Sequence, residues 1–212
     1  MKKNGLFITF DGIDGAGKTT QIKMLAKFLG DQGKTVHMTR EPGGTALSEK
    51  IRELLLAPRQ SMSPTTELLL MFAARAEHIE KVLKPKVHAG EWVICSRFTD
   101  ATLAYQGYAR GVDLHKIQML AEVVHGDFQP HISFFLDLPA TLAAERRAGR
   151  GESVDRFEAE ALSFMQAVRE GYFSIAEAEP ERCQVIDATQ TIAQIQTAIQ
   201  AVITPYLHED SA

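Results

Sequence analysis

One stretch constrains this chain more than any other. Gly12-Ile13-Asp14-Gly15-Ala16-Gly17-Lys18-Thr19 matches the pattern G-x-x-x-x-G-K-[ST]. The β-rich run Leu6-Phe7-Ile8-Thr9-Phe10 precedes it and ends at the turn pair Asp11-Gly12. Residues 18–29 follow with helical spacing, Ile22, Leu25, Ala26 and Leu29 sharing a face. In such a strand–loop–helix setting the glycines let backbone N–H groups turn inward around an anion. The helix N-terminus adds partial positive charge at the same place. Lys18 brings an ammonium to the β- and γ-phosphates, the Thr19 hydroxyl offers an oxygen to Mg²⁺, and Thr20 continues the first turn. A glycine-rich turn that merely caps a helix is the alternative, and the agreement of pattern with context argues against it. The loop points to nucleoside triphosphate binding. It does not say what receives the phosphate.

The rest of the chain repeats the alternation. Short apolar runs at 35–39, 91–95, 131–138 and 181–187 read as strands, and 46–56, 63–83 and 190–203 read as helices. Gly30 and Gly33 stop the first helix, and Pro42-Gly43-Gly44 breaks the chain after the second strand. Strands separated by helices predict an α/β fold with a parallel sheet of about five strands flanked by helices. With 212 residues, no repeat and no linker-like tract, residues 1–212 are expected to form one domain. Hydrophobic residues at 45% and charged residues at 24% exclude a disordered chain. Cys95 and Cys183 are the only cysteines, too few for a disulfide scaffold or a zinc knuckle. The net charge of −4 argues against a general nucleic-acid binder. No apolar run approaches the ~20 residues that a bilayer span needs, and no leader pattern opens the chain, so a cytoplasmic protein without a membrane partner is expected.

Several polar residues fall where strands end, the edge at which open α/β sheets carry ligands. Arg97 follows the third strand and suits bidentate phosphate contact, or else forms a surface ion pair. Phe72 and Arg75 share a helix face; they could sandwich a flat base, or be a core ring with a cation at its edge. Thr102, Tyr105 and Gln106 share another face and could reach a base or sugar, or belong to an ordinary amphipathic helix. Arg146, Arg147, Arg150 and Arg156 crowd a segment broken by Gly149 and Gly151, either a solvated face or a basic flap over bound phosphates. The seven histidines show no metal spacing, and His78 reads as a helix-surface residue. Asp137, closing the fourth strand, could neighbour a metal or cap the next helix.

These pieces together resemble the thymidylate kinase (dTMP kinase) family of the bacterial type over nearly the whole length. The resemblance rests on Gly12–Thr19, on Thr39-Arg40-Glu41-Pro42-Gly43-Gly44-Thr45 and on Phe72-Ala73-Ala74-Arg75. It continues through Arg97, Tyr105-Gln106-Gly107, the segment 146–158 and Ile186-Asp187-Ala188-Thr189. The phosphate loop alone is common to many ATPases, whereas the 39–45 string joined to Tyr105-Gln106-Gly107 is far more specific.

The resemblance implies a three-layer P-loop kinase fold with an arginine-rich LID at about 146–157. It implies transfer of the γ-phosphoryl group of ATP to dTMP with Mg²⁺, and a homodimer packed through long helices. Phe72 would stack on thymine, Arg75 would bond its carbonyl, Thr102 would face the ring and Gln106 would border it. Tyr105 would crowd the sugar 2′ position, Arg97 would grip the acceptor phosphate, and Glu41 and Pro42 would line the pocket. Asp14 would face the sugar 3′-hydroxyl and the phosphates. Gly12, Ile13, Asp14, Gly15, Ala16, Gly17, Lys18, Thr19, Thr20 and Arg146 would bind ATP, with Asp187-Ala188-Thr189 edging the adenine. Arg150 would be the catalytic arginine of the LID, with Arg146 and Arg147 beside it. One position departs: Ser96 stands where the family usually carries Asp, which leaves Asp11 or Asp14 to help place the metal. A kinase of the same fold with another nucleotide acceptor is the nearest alternative, and the set Phe72, Arg75 and Tyr105 argues against it. A GTP switch would need an Asn-Lys-x-Asp element, which the sequence lacks.

Overall fold

The computed structural model describes residues 5–57, 61–148 and 161–209. Five parallel strands lie in the order β2-β3-β1-β4-β5: β1 (Phe7–Asp11), β2 (Val36–Arg40), β3 (Trp92–Ser96), β4 (Ile132–Asp137) and β5 (Cys183–Asp187). β1 is central and wholly buried, while the edge strands β2 and β5 are partly exposed. This explains the unbroken apolar runs of β1, β3 and β4, since strands covered on both faces have no polar side. The register sets Ile8 beside Ile94 and Ile132.

Helices cover both faces. Ile8, Phe10, Ile94 and Phe134 pack with Leu25 and Leu29 of α1 (Lys18–Asp31) and with Ile195 and Ile199 of α9 (Ile192–Glu209). On the other face Phe7, Val93 and Cys95 meet Ile79, Leu83 and Phe98. The remaining helices are α2 (Ala46–Leu56), α3 (Pro64–His78), α4 (Lys84–His88), α5 (Thr99–Thr102), α6 (Leu114–Val124), α7 (Ala140–Ala148) and α8 (Leu162–Ala178).

Two helices differ from the sequence reading. The helix expected over 63–83 keeps α-helical bonding only to His78, continues as a π-turn at Ile79–Leu83, and resumes as α4. Pro85 supplies the reason, because its ring cannot donate a hydrogen bond and crowds the carbonyl four residues back. α1 runs through Gly30 to Asp31 and closes at Gly33, whose φ of 78° suits glycine, with Lys34 N–H bonded to the Leu29 carbonyl. No helix among the described residues is long and apolar enough to cross a membrane. Of the arginine-rich segment, the described part ends within α7.

Candidate active site

The phosphate loop is built from backbone. Gly12 has φ 124° and Gly15 φ 97°, conformations that disfavour a side chain. A Cβ on Gly12 would lie 2.6 Å from the Leu136 carbonyl oxygen, and one on Gly15 2.7 Å from that of Ala143. Ile13 and Ala16 are buried and contribute main chain. α1 opens at Gly17 with no side-chain cap and no acid in its first turn, so its leading N–H groups face the loop with their positive charge unopposed. Thr19 and Thr20 are exposed there. Lys18 Nζ donates to the Gly12 carbonyl at 2.9 Å and to that of Ile13 at 3.0 Å, and lies 3.6 Å from Asp14 Oδ1. Burial first, and the nearby Arg97 charge second, bring the Lys18 ammonium down to about 8.

At the end of β3, Arg97 adopts φ 71°, the left-handed region, while its N–H bonds the Phe10 carbonyl. This twist sends its side chain back toward β1. Nη2 donates to Asp14 Oδ1 at 2.7 Å and to the Tyr105 hydroxyl at 3.1 Å, and Nη1 donates to the Tyr172 hydroxyl at 3.4 Å. The surface ion pair weighed from sequence is thus a largely buried one, joining the phosphate loop to a cleft at the end of β3.

Asp14, Glu41, Pro42, Arg75, Arg97, Thr102, Tyr105 and Gln106 all line this cleft. Phe72 does not: it is 2% exposed, and its ring centre lies 4.9 Å from the Arg75 guanidinium, which also lies 5.2 Å from the Phe98 ring centre. Tyr105 and Gln106 project from a π-helical turn, Leu103–Ala109, rather than from an α-helix face. Arg52, Leu56, Met71, Phe98 and Ala101 also line the cleft, and sequence reasoning missed them. The i, i+4 spacing of Arg52 and Leu56 just after the 39–45 string was the available signal for two of these.

Arg75 is held from three directions. Its Nε donates to Glu41 Oε2 at 2.7 Å, and its Nη2 donates to the Phe98 carbonyl and to Thr102 Oγ1, each at 3.0 Å. Nη1 is buried without a partner among the described residues. Burial alone would raise the Glu41 carboxyl, but Arg75 and His78 hold it below the usual range. His78 corrects the sequence reading. It is fully buried, with Nδ1 3.0 Å from Glu41 Oε1 and Nε2 2.8 Å from Thr39 Oγ1. It shares with Arg75 the helix face turned toward the 39–45 loop, and apolar periodicity places a polar residue outside when its partner comes from another element. Glu41, His78 and Cys95 offer ligand atoms within 4.8 Å of one another, but Arg75 already neutralises Glu41 there.

Asp137 is paired with a guanidinium. Both of its oxygens take Arg169, at 2.5 and 2.9 Å. Arg146 Nη2 donates to the Ala188 carbonyl at 3.1 Å, joining α7 to the loop after β5. Arg150, Arg156 and the Arg147 side chain lie outside the described residues. Ser96 is half-buried at the tip of β3, beside Phe10 and Arg40 in register. Asp11 is fully buried, and its Oδ2 has no partner among the described residues. Burial and the Asp100 charge push its carboxyl up to about 7.

Oxygen donors in this region therefore include Thr19, Ser96, Asp14 and Asp11. A donor set of this kind fits a hard cation that is held mainly through phosphate oxygens and water.

The family model described as thymidylate kinase matches residues 10–199. A thymidylate kinase of Pseudomonas entomophila (strain L48) is 49% identical over 94% of this chain and 95% of its own. One from Geotalea uraniireducens (strain Rf4) is 45% identical over 97% and 99%. The crystal structure of thymidylate kinase from Ehrlichia chaffeensis superposes with a TM-score of 0.78 at 37% identity, covering 95% of this chain and 99% of that one.

Proposed function

The chain belongs to the thymidylate kinase family, and from that premise we propose how its residues share the reaction. It is a nucleoside monophosphate kinase that moves the γ-phosphoryl group of ATP to dTMP, giving dTDP and ADP. The observation that carries the division of labour is the 2.7 Å contact of Arg97 with Asp14, which joins a backbone phosphate nest to a base-sized cleft.

On the donor side, the N–H groups of 12–20 wrap the ATP phosphates, and Lys18 leaves the loop carbonyls for the β/γ oxygens. Arg146 and Ala188 border the adenine, and Arg150 adds charge from the LID. On the acceptor side, Arg97 holds the 5′-phosphate of dTMP and Asp14 faces the sugar and the phosphates. Arg75 bonds a base carbonyl, while Thr102, Gln106, Glu41 and Pro42 enclose the base; Phe72 lies behind Arg75, outside the cleft lining, and supports that guanidinium. Tyr105 occupies the space a ribose 2′-hydroxyl would need.

These groups act by position and charge. Two anionic tails repel, and guanidinium and ammonium groups in a water-poor cleft offset that repulsion most where charge develops. The Thr19 hydroxyl would hold Mg²⁺, with Asp14 and Ser96 nearby, and the ion when bound neutralises charge on the β/γ oxygens.

We also place the protein in the cytoplasm, as a homodimer. Leu69 of α3 and Met119 and Val123 of α6 are exposed on two helices that pack on each other, and these suit a face shared by two copies. A coupled ADP assay over a panel of monophosphates tests the acceptor. Strong preference for dTMP is expected, and equal turnover of dTMP, dGMP and AMP overturns it.

A further inference from the structure

We propose that Glu67 is a positioning residue that sets base specificity. By fixing which end of the Gln106 amide faces the cleft, it makes the wall accept a thymine edge and refuse a cytosine edge. This rests on the reading of the cleft as the dTMP site.

Gln106 Nε2 donates to Glu67 Oε1 at 2.8 Å, and the same oxygen accepts Arg110 Nε at 2.9 Å. Glu67 is 1% exposed. A carboxylate beside a guanidinium only accepts hydrogen bonds, so the amide has to present its NH₂ to it. The reverse orientation would set two acceptors against each other at contact distance. The amide group is planar, so turning Nε2 toward Glu67 turns Oε1 away from it, and Gln106 is one of the residues that line the cleft. The Gln106 side chain makes no other hydrogen bond among the described residues.

Arg75 is committed in the same way. Glu41 takes Nε, Phe98 and Thr102 take Nη2, and Nη1 is buried without a partner among the described residues, in a residue of the cleft wall. Along this part of the wall Arg75 supplies a donor and Gln106 an acceptor, and each is set by its own buried carboxylate. Thymine presents an acceptor, O4, beside a donor, N3–H. Cytosine presents a donor, the N4 amine, beside an acceptor, N3. Cytosine would therefore set donor against donor and acceptor against acceptor. Rotating the Gln106 amide would relieve half of that mismatch, and Glu67 forbids the rotation. Sites built on buried hydrogen bonds reject an ill-matched ligand strongly because the unpaired groups stay buried.

The test compares dTMP with 5-methyl-dCMP, which share methyl group, sugar and phosphate and differ only along this edge. Wild-type protein is expected to prefer dTMP strongly in kcat/KM, and 5-methyl-dCMP to inhibit it poorly. Glu67→Gln places at this position an amide that donates as readily as it accepts. It should reduce the preference by about tenfold or more, chiefly through a higher KM for dTMP, with the KM for ATP unchanged. Arg110→Met removes the guanidinium but leaves the carboxylate on Gln106, and should keep the preference. An unchanged preference in Glu67→Gln, or equal losses in both variants, overturns the proposal. If Glu67→Gln does not fold, wild-type protein labelled with ¹⁵N decides. One Gln106 side-chain amide proton should be protected from exchange with and without dTMP, and free exchange of both protons overturns the proposal. A wild-type protein that does not phosphorylate dTMP would instead refute the reading of the cleft itself.

Discussion

The loop after β1 and the cleft after β3 are built of different materials. The loop is contiguous and made of main chain; its one mobile charge, Lys18, rests on two carbonyl oxygens and near one carboxylate. The cleft draws on the 41–42 loop, α2, α3, the tip of β3, α5 and the π-turn at Leu103–Ala109, and its charges are tied down by other side chains. A backbone nest binds whatever phosphate reaches it, because every nucleotide carries the same tail. A wall of clamped side chains can tell one base from another. The difference separates general chemistry from specific recognition, and each half can be broken separately.

The largest effect is expected at Lys18. Lys18→Ala should lower turnover by about 10²–10³-fold, as for loss of one donor aimed at developing charge, while dTMP affinity stays near wild type. Lost dTMP affinity with normal turnover would reverse the division of the two regions. With its free-enzyme value near 8, the ammonium is charged below that pH and neutral above it. kcat/KM for ATP should therefore fall as pH climbs past about 8, and a flat profile to pH 10 would remove Lys18 from the donor step.

Next comes Glu41→Gln, which leaves Arg75 buried without its counter-charge. It should cost about 3–5 kcal/mol in denaturant unfolding and raise the KM for dTMP more than that for ATP. Because the folded-state value of Glu41 lies below its ordinary 4.5, its stabilisation is present above that pH and lost as pH falls through the folded value. An equal rise in both KM values would show that the clamps serve the whole fold rather than the cleft.

Tyr105→Ala should narrow the preference for dTMP over UMP by about tenfold, the scale of a small steric change in a pocket. Unchanged discrimination would dismiss its steric role. Ser96→Asp is the mildest: it should lower the Mg²⁺ concentration for half-maximal activity by about tenfold or less, with matching tighter Mg²⁺ binding by calorimetry. An unchanged requirement would detach this position from the metal.

What could be read from the sequence follows the same divide. The phosphate loop is legible because its chemistry needs a fixed order of glycines, lysine and threonine along one stretch. β1, β3 and β4 are legible because burial on both faces leaves unbroken apolar runs. Glu67 and His78 are silent in the sequence because their partners lie 39 and 37 positions away, across separate elements. The π-turns are silent too, since widening a helical turn changes its bonding and not its composition.

The Arg75 guanidinium packs against the rings of Phe72 and Phe98, 4.9 and 5.2 Å from their centres, with two of its three nitrogens already bonded. A free arginine side chain carries about 2 kcal/mol of rotamer entropy. Here that freedom is surrendered when the chain folds, so an arriving nucleotide does not have to freeze it. The group works as a fixed gauge: it cannot bend to suit another ring, and whatever fits finds it already still.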